Sequence, residues 1–133
     1  MKVLIIDDFE MIRIMIKGQL TAMGIKKIDQ AQDGKLALET LLNSLIAKDP
    51  YNIIFCDWNM PNMTGIEVLK FCKSHEELKN IPFVMVTAES EKSQVLTALK
   101  SGAADYLVKP IAPAILQKKV QFLIEKFNLK TVV

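Results

Sequence analysis

Five short apolar runs are each followed by a stretch whose apolar residues recur at helical spacing. This alternation limits the fold more than any other feature of the chain. "KVLII" precedes a predicted helix over about residues 10–23, where Met11, Ile12, Met15, Ile16 and Leu20 recur on one face. "KKIDQA" is a shorter, more polar run, as an edge strand would be. Asp33-Gly34 then turns the chain into "KLALETLLNSLIAK", with Leu38, Leu41, Leu42 and Leu45 on one face. "YNIIFC" leads to a predicted helix over about residues 65–74, and "IPFVMV" to another over about 90–101 that stops at Gly102, a residue suited to a helix C-terminus. "ADYLV" precedes the last helix, in which Leu116, Val120, Leu123, Ile124 and Phe127 share a face. Strand then helix, five times over, predicts an α/β fold: a parallel sheet covered by helices on both faces, with right-handed crossovers.

The 133 residues, half of them apolar and 24% charged, suffice for one domain that buries roughly 68% of its unfolded surface. Residues 1–127 are expected to form that domain and 128–133 a loose tail. A net charge of +2 argues neither for nor against nucleic acid. Lys118, Lys119, Lys126 and Lys130 read as a solvated helix face. "MKVLIIDD" is too short for the apolar region of a signal peptide, and no uncharged apolar run approaches the ~18 residues that span a bilayer. Cys56 and Cys72 have neither metal-ligand nor disulfide spacing, and Cys56 lies within a predicted strand, where buried thiols are common. The expectation is a soluble, cytoplasmic protein with no membrane and no nucleic-acid partner.

The chemistry collects where strands end. The first ends in Asp7-Asp8, the third in Asp57, the fourth in Thr87, and the fifth runs into Lys109-Pro110. Ligands of open α/β sheets bind outside the carboxyl ends of the strands, at the topological switch point. If the strand order is 2-1-3-4-5, the first and third strands are neighbours roughly 4.8 Å apart. Asp7, Asp8 and Asp57 would then share one small cavity with Thr87 and Lys109. Three such carboxylates raise one another's pKa or recruit a cation. Oxygen-only ligands suit Mg²⁺ better than Zn²⁺. Lys109 could hold a phosphoryl oxygen as a point charge, Thr87 could donate its hydroxyl, and Asp57 could act as a nucleophile toward phosphorus.

"IIDD", "DWNMPNMTG", "VTAE" and "YLVKP", in that order over nearly the whole chain, resemble the receiver domain of bacterial two-component response regulators. "DWNMPNM" and "VTAE" are especially similar to the single-domain chemotaxis (CheY-like) type. The resemblance implies a flavodoxin-like (βα)5 doubly wound sheet of order 2-1-3-4-5. It implies that Asp57 is the phosphoacceptor, served by a histidine kinase or a small phosphodonor, in a switch whose phosphorylation and dephosphorylation are self-catalysed. Asp7 and Asp8 would hold Mg²⁺ together with Asp57 and the backbone carbonyl of Asn59. Lys109 would contact the phosphoryl group, and its bond to Pro110 is often cis in the family. Thr87 and Tyr106 would form the switch. It would bias the face made by the fourth helix, fifth strand and fifth helix toward a target, which the resemblance gives as the flagellar motor switch protein. Asn59 and Glu89 sit where the family tunes the lifetime of the phosphate and where a phosphatase would reach in.

Taken singly, these residues also have plainer readings. Asp7 and Asp8 suit a turn or a helix N-cap, Thr87 the end of a strand, Tyr106 a half-buried strand position and Trp58 a surface one. Met11 and Met15 read as core filling, and His75 as exposed and without a role. The chain departs from the family pattern at Ile111, where an aromatic is usual, at Ala112, where a capping hydroxyl is expected, and at Glu91, where the chemotaxis type is often basic. "NSLIAKDPYN" also makes the second helix or the loop after it longer than usual. A relay or phosphate sink serving a histidine phosphotransfer domain is an alternative within the same chemistry. An aspartyl-nucleophile phosphohydrolase is a second alternative, weakened because Asn59 stands where its general acid is needed. A flavin module would need a hydroxyl-rich phosphate loop where "IIDDFEM" stands, and a DNA-binding regulator would need a further domain.

Overall fold

The computed structural model describes residues 1–88 and 92–129. Strands β1 (Lys2–Ile6), β2 (Lys27–Ala31), β3 (Ile53–Asp57), β4 (Phe83–Ala88) and β5 (Asp105–Lys109) alternate with helices α1 (Glu10–Ala22), α2 (Gly34–Ile46), α3 (Gly65–Lys73), α4 (Lys92–Lys100) and α5 (Pro113–Lys126). The strands form one parallel sheet in the order β2-β1-β3-β4-β5, as expected.

The alternation of side chains across the pleat explains the unbroken apolar runs. Leu4, Ile6, Ile54 and Cys56 enter a core with Ala37, Leu41, Val68, Leu69 and Ala98 of α2, α3 and α4. Val3, Ile5, Ile53 and Phe55 enter the opposite core, with Ile16 and Leu20 of α1 and Leu116, Val120 and Leu123 of α5. Both faces of β1 and β3 are thus buried, while β2 at the edge leaves Lys27, Asp29 and Gln30 in solvent. Among the described residues, no helix is long and apolar enough to cross a membrane.

Helix ends follow local chemistry. Asp33 accepts the Leu36 N–H at 2.8 Å, and Thr64 with Glu67 closes a capping box at α3. Gly102, at φ +108°, takes the left-handed backbone that ends α4. Ala112 gives α5 no side-chain cap, and Pro113 begins the helix instead. The predicted start of α4 at Ser90, and Glu91, lie outside the described residues.

The extra length of "NSLIAKDPYN" falls in the connection after α2, which ends at Ile46. Lys2 fastens that connection: its Nζ lies 3.1 Å from Asp49 Oδ2 and 4.4 Å from the Tyr51 ring centroid. The Tyr51 hydroxyl donates to Asp29 Oδ2 at 2.6 Å.

Three expectations need correction. Met11 is 68% exposed rather than core filling, because α1 turns Ile16 and Leu20 inward instead, whereas Met15 packs, partly buried, against that core. His75 is half-buried, with its ring 4.2 Å from that of Phe71 and Nδ1 2.9 Å from the Phe71 carbonyl. Lys119 is not solvated as a member of a basic helix face, since Asp105 and Tyr106 on β5 hold its ammonium.

Candidate functional site

Register brings the chemistry to one edge of the sheet. Ile6 pairs with Cys56, so Asp7 and Asp57 follow at the same level on adjoining strands. Asp57 pairs with Val86, Thr87 with Val108, and Ala88 with Lys109. Four separated sequence positions, Asp7, Asp57, Thr87 and Lys109, therefore lie at the carboxyl ends of β1, β3, β4 and β5.

Carboxylate oxygens of Asp7, Asp8 and Asp57 lie within 4.8 Å of one another. Lys109 Nζ stands 3.0 Å from Asp57 Oδ1 and 3.3 Å from Asp7 Oδ2. Asp7 and Asp57 are buried, whereas Asp8 is exposed. Asp7 Oδ1 accepts the Phe9 N–H at 2.9 Å, so the plainer reading of Asp7 as a turn former holds for one of its two oxygens. Its other oxygen, Oδ2, is buried and faces the Lys109 ammonium with no well-aligned hydrogen bond among the described residues.

Burial pushes Asp57 up to about 6; the bond to Lys109 opposes that rise and the charge of Asp7 adds to it. Asp7 is raised too, mainly by burial, against the Phe9 amide and Lys109. Burial works against the Lys109 ammonium, yet its two carboxylate partners outweigh it and its pKa is raised. Among the described residues, the three carboxylates gather where the Lys109 ammonium pairs only two of them, which leaves their side chains short of positive charge. A divalent cation would relieve that shortage, and the buried Asp7 oxygen that lacks an aligned hydrogen bond, the exposed Asp8 and an all-oxygen donor set fit a hard ion such as Mg²⁺.

The loop after β3 is folded tightly onto Asp57. Trp58 N–H donates to the Val86 carbonyl at 2.9 Å, and Gly65 N–H donates to the Trp58 carbonyl at 2.8 Å. A Cβ on Gly65 would lie 2.2 Å from the Asp57 carbonyl oxygen, so the return of the chain requires glycine there. Asn59 is exposed in this loop, and among the described backbone bonds no amide takes its carbonyl. Trp58 is half-buried against the α2–α3 core.

Thr87 is fully buried, and its Oγ1 has no hydrogen-bond partner among the described residues. An unbonded hydroxyl at such a place is unusual and needs an explanation. Tyr106 is half-buried on β5 beneath the Lys119 ammonium. The Lys109-Pro110 bond is cis. Glu89 lies outside the described residues.

Sequence reasoning missed two neighbours. Arg13 donates from Nη1 to the Asp7 carbonyl at 2.6 Å and from Nε to Gln30 Oε1 at 3.0 Å, tying α1 and β2 to the strand end that carries the acids. An Arg one turn into a helix that follows "DD" was the available signal. Gly65 reads from sequence as the end of the loop and the start of a helix, and nothing local signals its closeness to the Asp57 carbonyl.

Comparison with known proteins gives a consistent result. The family described as the response regulator receiver domain matches residues 3–121. Chemotaxis protein CheY of Pseudomonas aeruginosa is 38% identical over 128 residues, covering 96% of this chain and 99% of that protein. Chemotaxis protein CheY-3 of Vibrio cholerae is 37% identical over 126 residues, covering 95% and 93%. Among solved structures, the chemotaxis response regulator CheY4 of Vibrio cholerae superposes with a TM-score of 0.79 at 34% identity, covering 92% of this chain and 97% of that one. The receiver domain of Francisella response regulator 1452 gives 0.78 at 34% identity, covering 95% and 98%.

Proposed function

The chain belongs to the response regulator receiver domain family, and from that premise we propose that it is a phosphorylation-activated switch of the single-domain chemotaxis type. The observation that carries this reading is the buried Asp57 carboxylate, paired at 3.0 Å with Lys109 and crowded by two further acids.

An Asp57 oxygen attacks the phosphorus of a phosphohistidine on a kinase, or of a small acyl phosphate. The bond from phosphorus to the donor nitrogen or oxygen breaks, and the donor leaves with its electron pair. Asp7, Asp8, Asp57 and the Asn59 carbonyl would hold Mg²⁺, which when bound neutralises charge on the phosphoryl oxygens. Lys109 supplies a fixed positive charge at the same oxygens, exchanging its Asp57 partner for the new group. Water later attacks the phosphorus, the bond from phosphorus to the Asp57 oxygen breaks with its electron pair returning to the carboxylate, and inorganic phosphate leaves. Asn59 and Glu89 set how readily that water approaches, and a phosphatase would act at the same place.

The Thr87 hydroxyl, buried and unbonded, donates to a phosphoryl oxygen once one is present. Its movement makes room for Tyr106 to turn inward, and the face of α4, β5 and α5 shifts toward its target-binding form. By analogy with the chemotaxis relatives, the donor is a cytoplasmic histidine kinase and the target the flagellar motor switch protein. Asn59, an amide where a hydrolase needs an acid, favours a switch over a turnover enzyme.

Titrating a motor-switch peptide against the chain before and after treatment with acetyl phosphate and Mg²⁺ tests this role. Tighter binding after treatment is expected for wild type and not for Asp57→Asn. Equal binding by both forms would remove the assignment of that target.

A further inference from the structure

We propose that Lys119 of α5 is a positioning residue for the Tyr106 ring, holding it in the arrangement seen here against the switched one. The inference rests on the reading of Tyr106 as the mobile half of the switch and extends that switch to a residue on the neighbouring helix.

Lys119 Nζ lies 3.9 Å from the centroid of the Tyr106 ring, within the range of a cation–π contact. The ammonium is itself fixed from elsewhere. It donates to Asp105 Oδ1 at 2.9 Å and to the backbone carbonyl of Tyr106. Asp105 Oδ1 in turn accepts the Tyr106 N–H at 2.8 Å. Neither a backbone carbonyl nor the Asp105 side chain moves when the Tyr106 side chain rotates. Two of the three ammonium donors are therefore anchored to the strand, and the ring is the mobile partner.

The contact is partly sheltered, with the Lys119 and Asp105 side chains 23% and 19% exposed. A cation so placed attracts the ring face more strongly than one in open water. When the ring turns inward it loses that attraction, while the ammonium keeps both of its anchors. Lys119 thus biases the ring toward the position seen here without touching the phosphoryl site. A contact of this class is worth roughly a two- to fivefold shift in a two-state equilibrium.

Tyrosine labelled with ¹³C in the ring, followed by NMR, reads this directly, because the chain holds only Tyr51 and Tyr106. In wild type, Mg²⁺ with beryllofluoride, a stable phosphoryl mimic, should move the Tyr106 signal to a new position. Without beryllofluoride, Lys119→Met should already displace that signal toward the activated position and lower the beryllofluoride concentration for half-maximal change by roughly two- to fivefold. Lys119→Arg, which keeps the charge, should restore the wild-type position. Asp105→Asn, which loosens the ammonium without removing it, should give a smaller displacement in the same direction. The Tyr51 signal, from the opposite edge of the sheet, should stay unchanged and so report an intact fold. A Lys119→Met signal at the wild-type position, still movable by beryllofluoride, would overturn the inference and leave the switch standing. Failure of wild-type Tyr106 to respond at all would remove the switch reading and this inference with it.

Discussion

Lys109 Nζ stands 3.0 Å from Asp57 Oδ1, and this pair is the electrostatic hinge of the site. The lysine compensates two buried carboxylates at once, since Asp7 Oδ2 is 3.3 Å from the same ammonium. Removing it leaves a buried acidic pair without a cation.

Lys109→Ala should therefore lower stability by about 1.5–3 kcal/mol in the absence of divalent ions, the scale of a charge-assisted bond. Phosphorylation should slow without vanishing, and partner binding should no longer follow it. Chemical denaturation with and without Mg²⁺, paired with mass measurement, separates the two effects. Normal coupling of phosphorylation to binding in this variant would contradict the role given to Lys109.

The raised acid predicts a pH dependence of definite sign. Burial pushes Asp57 up to about 6 in the native state from the ordinary 3.8. Between those values the unfolded chain has released a proton that the native chain still holds, so stability falls as pH rises through that window. Asp57→Asn should flatten the slope in EDTA and raise stability at neutral pH by about 1–3 kcal/mol. Denaturant midpoints from about pH 4 to about pH 8 check this. A slope unchanged by the substitution would assign it to another group.

Thr87 offers a test in which stability and signalling diverge. Its buried Oγ1 lacks a partner among the described residues, so the near-isosteric Thr87→Val should leave the unphosphorylated protein as stable as wild type or more so, by up to about 1 kcal/mol. Phosphorylated protein should nevertheless lose its gain in partner affinity. A loss of more than about 1 kcal/mol on Thr87→Val would mean that the hydroxyl is bonded in solution.

Gly65 is predicted to be intolerant of even one methyl group. A Cβ there would sit 2.2 Å from the Asp57 carbonyl oxygen, so Gly65→Ala must displace the loop that follows Asp57. A loss of about 2 kcal/mol or more and slower phosphorylation are expected, read by thermal melting and by the rate of mass gain. Wild-type values for both would show that the loop gives way freely.

The sheet and most of the acidic site were legible because the determinants are local. An apolar run buried on both faces that stops at Asp7 or Asp57 declares both a strand and its functional end. Right-handed crossovers narrow the strand orders without selecting one, and 2-1-3-4-5 is the order that the family resemblance implies. What escaped depends on contacts between distant segments. Lys119 resembles any helix lysine until β5 places Asp105 and Tyr106 beneath it. Met11 shares the spacing of Ile12 and Ile16, yet the crossing of α1 over the sheet leaves it in solvent. Gly65 resembles a helix start until the loop returns against Asp57.

Intact mass after incubation with acetyl phosphate tests the central claim most directly, for wild type and Asp57→Asn, each with Mg²⁺ and with EDTA. The account predicts the gain of one phosphoryl group by wild type in Mg²⁺ only, and none by Asp57→Asn. A gain that survives in Asp57→Asn, or that ignores EDTA, or no gain under any condition, would contradict it.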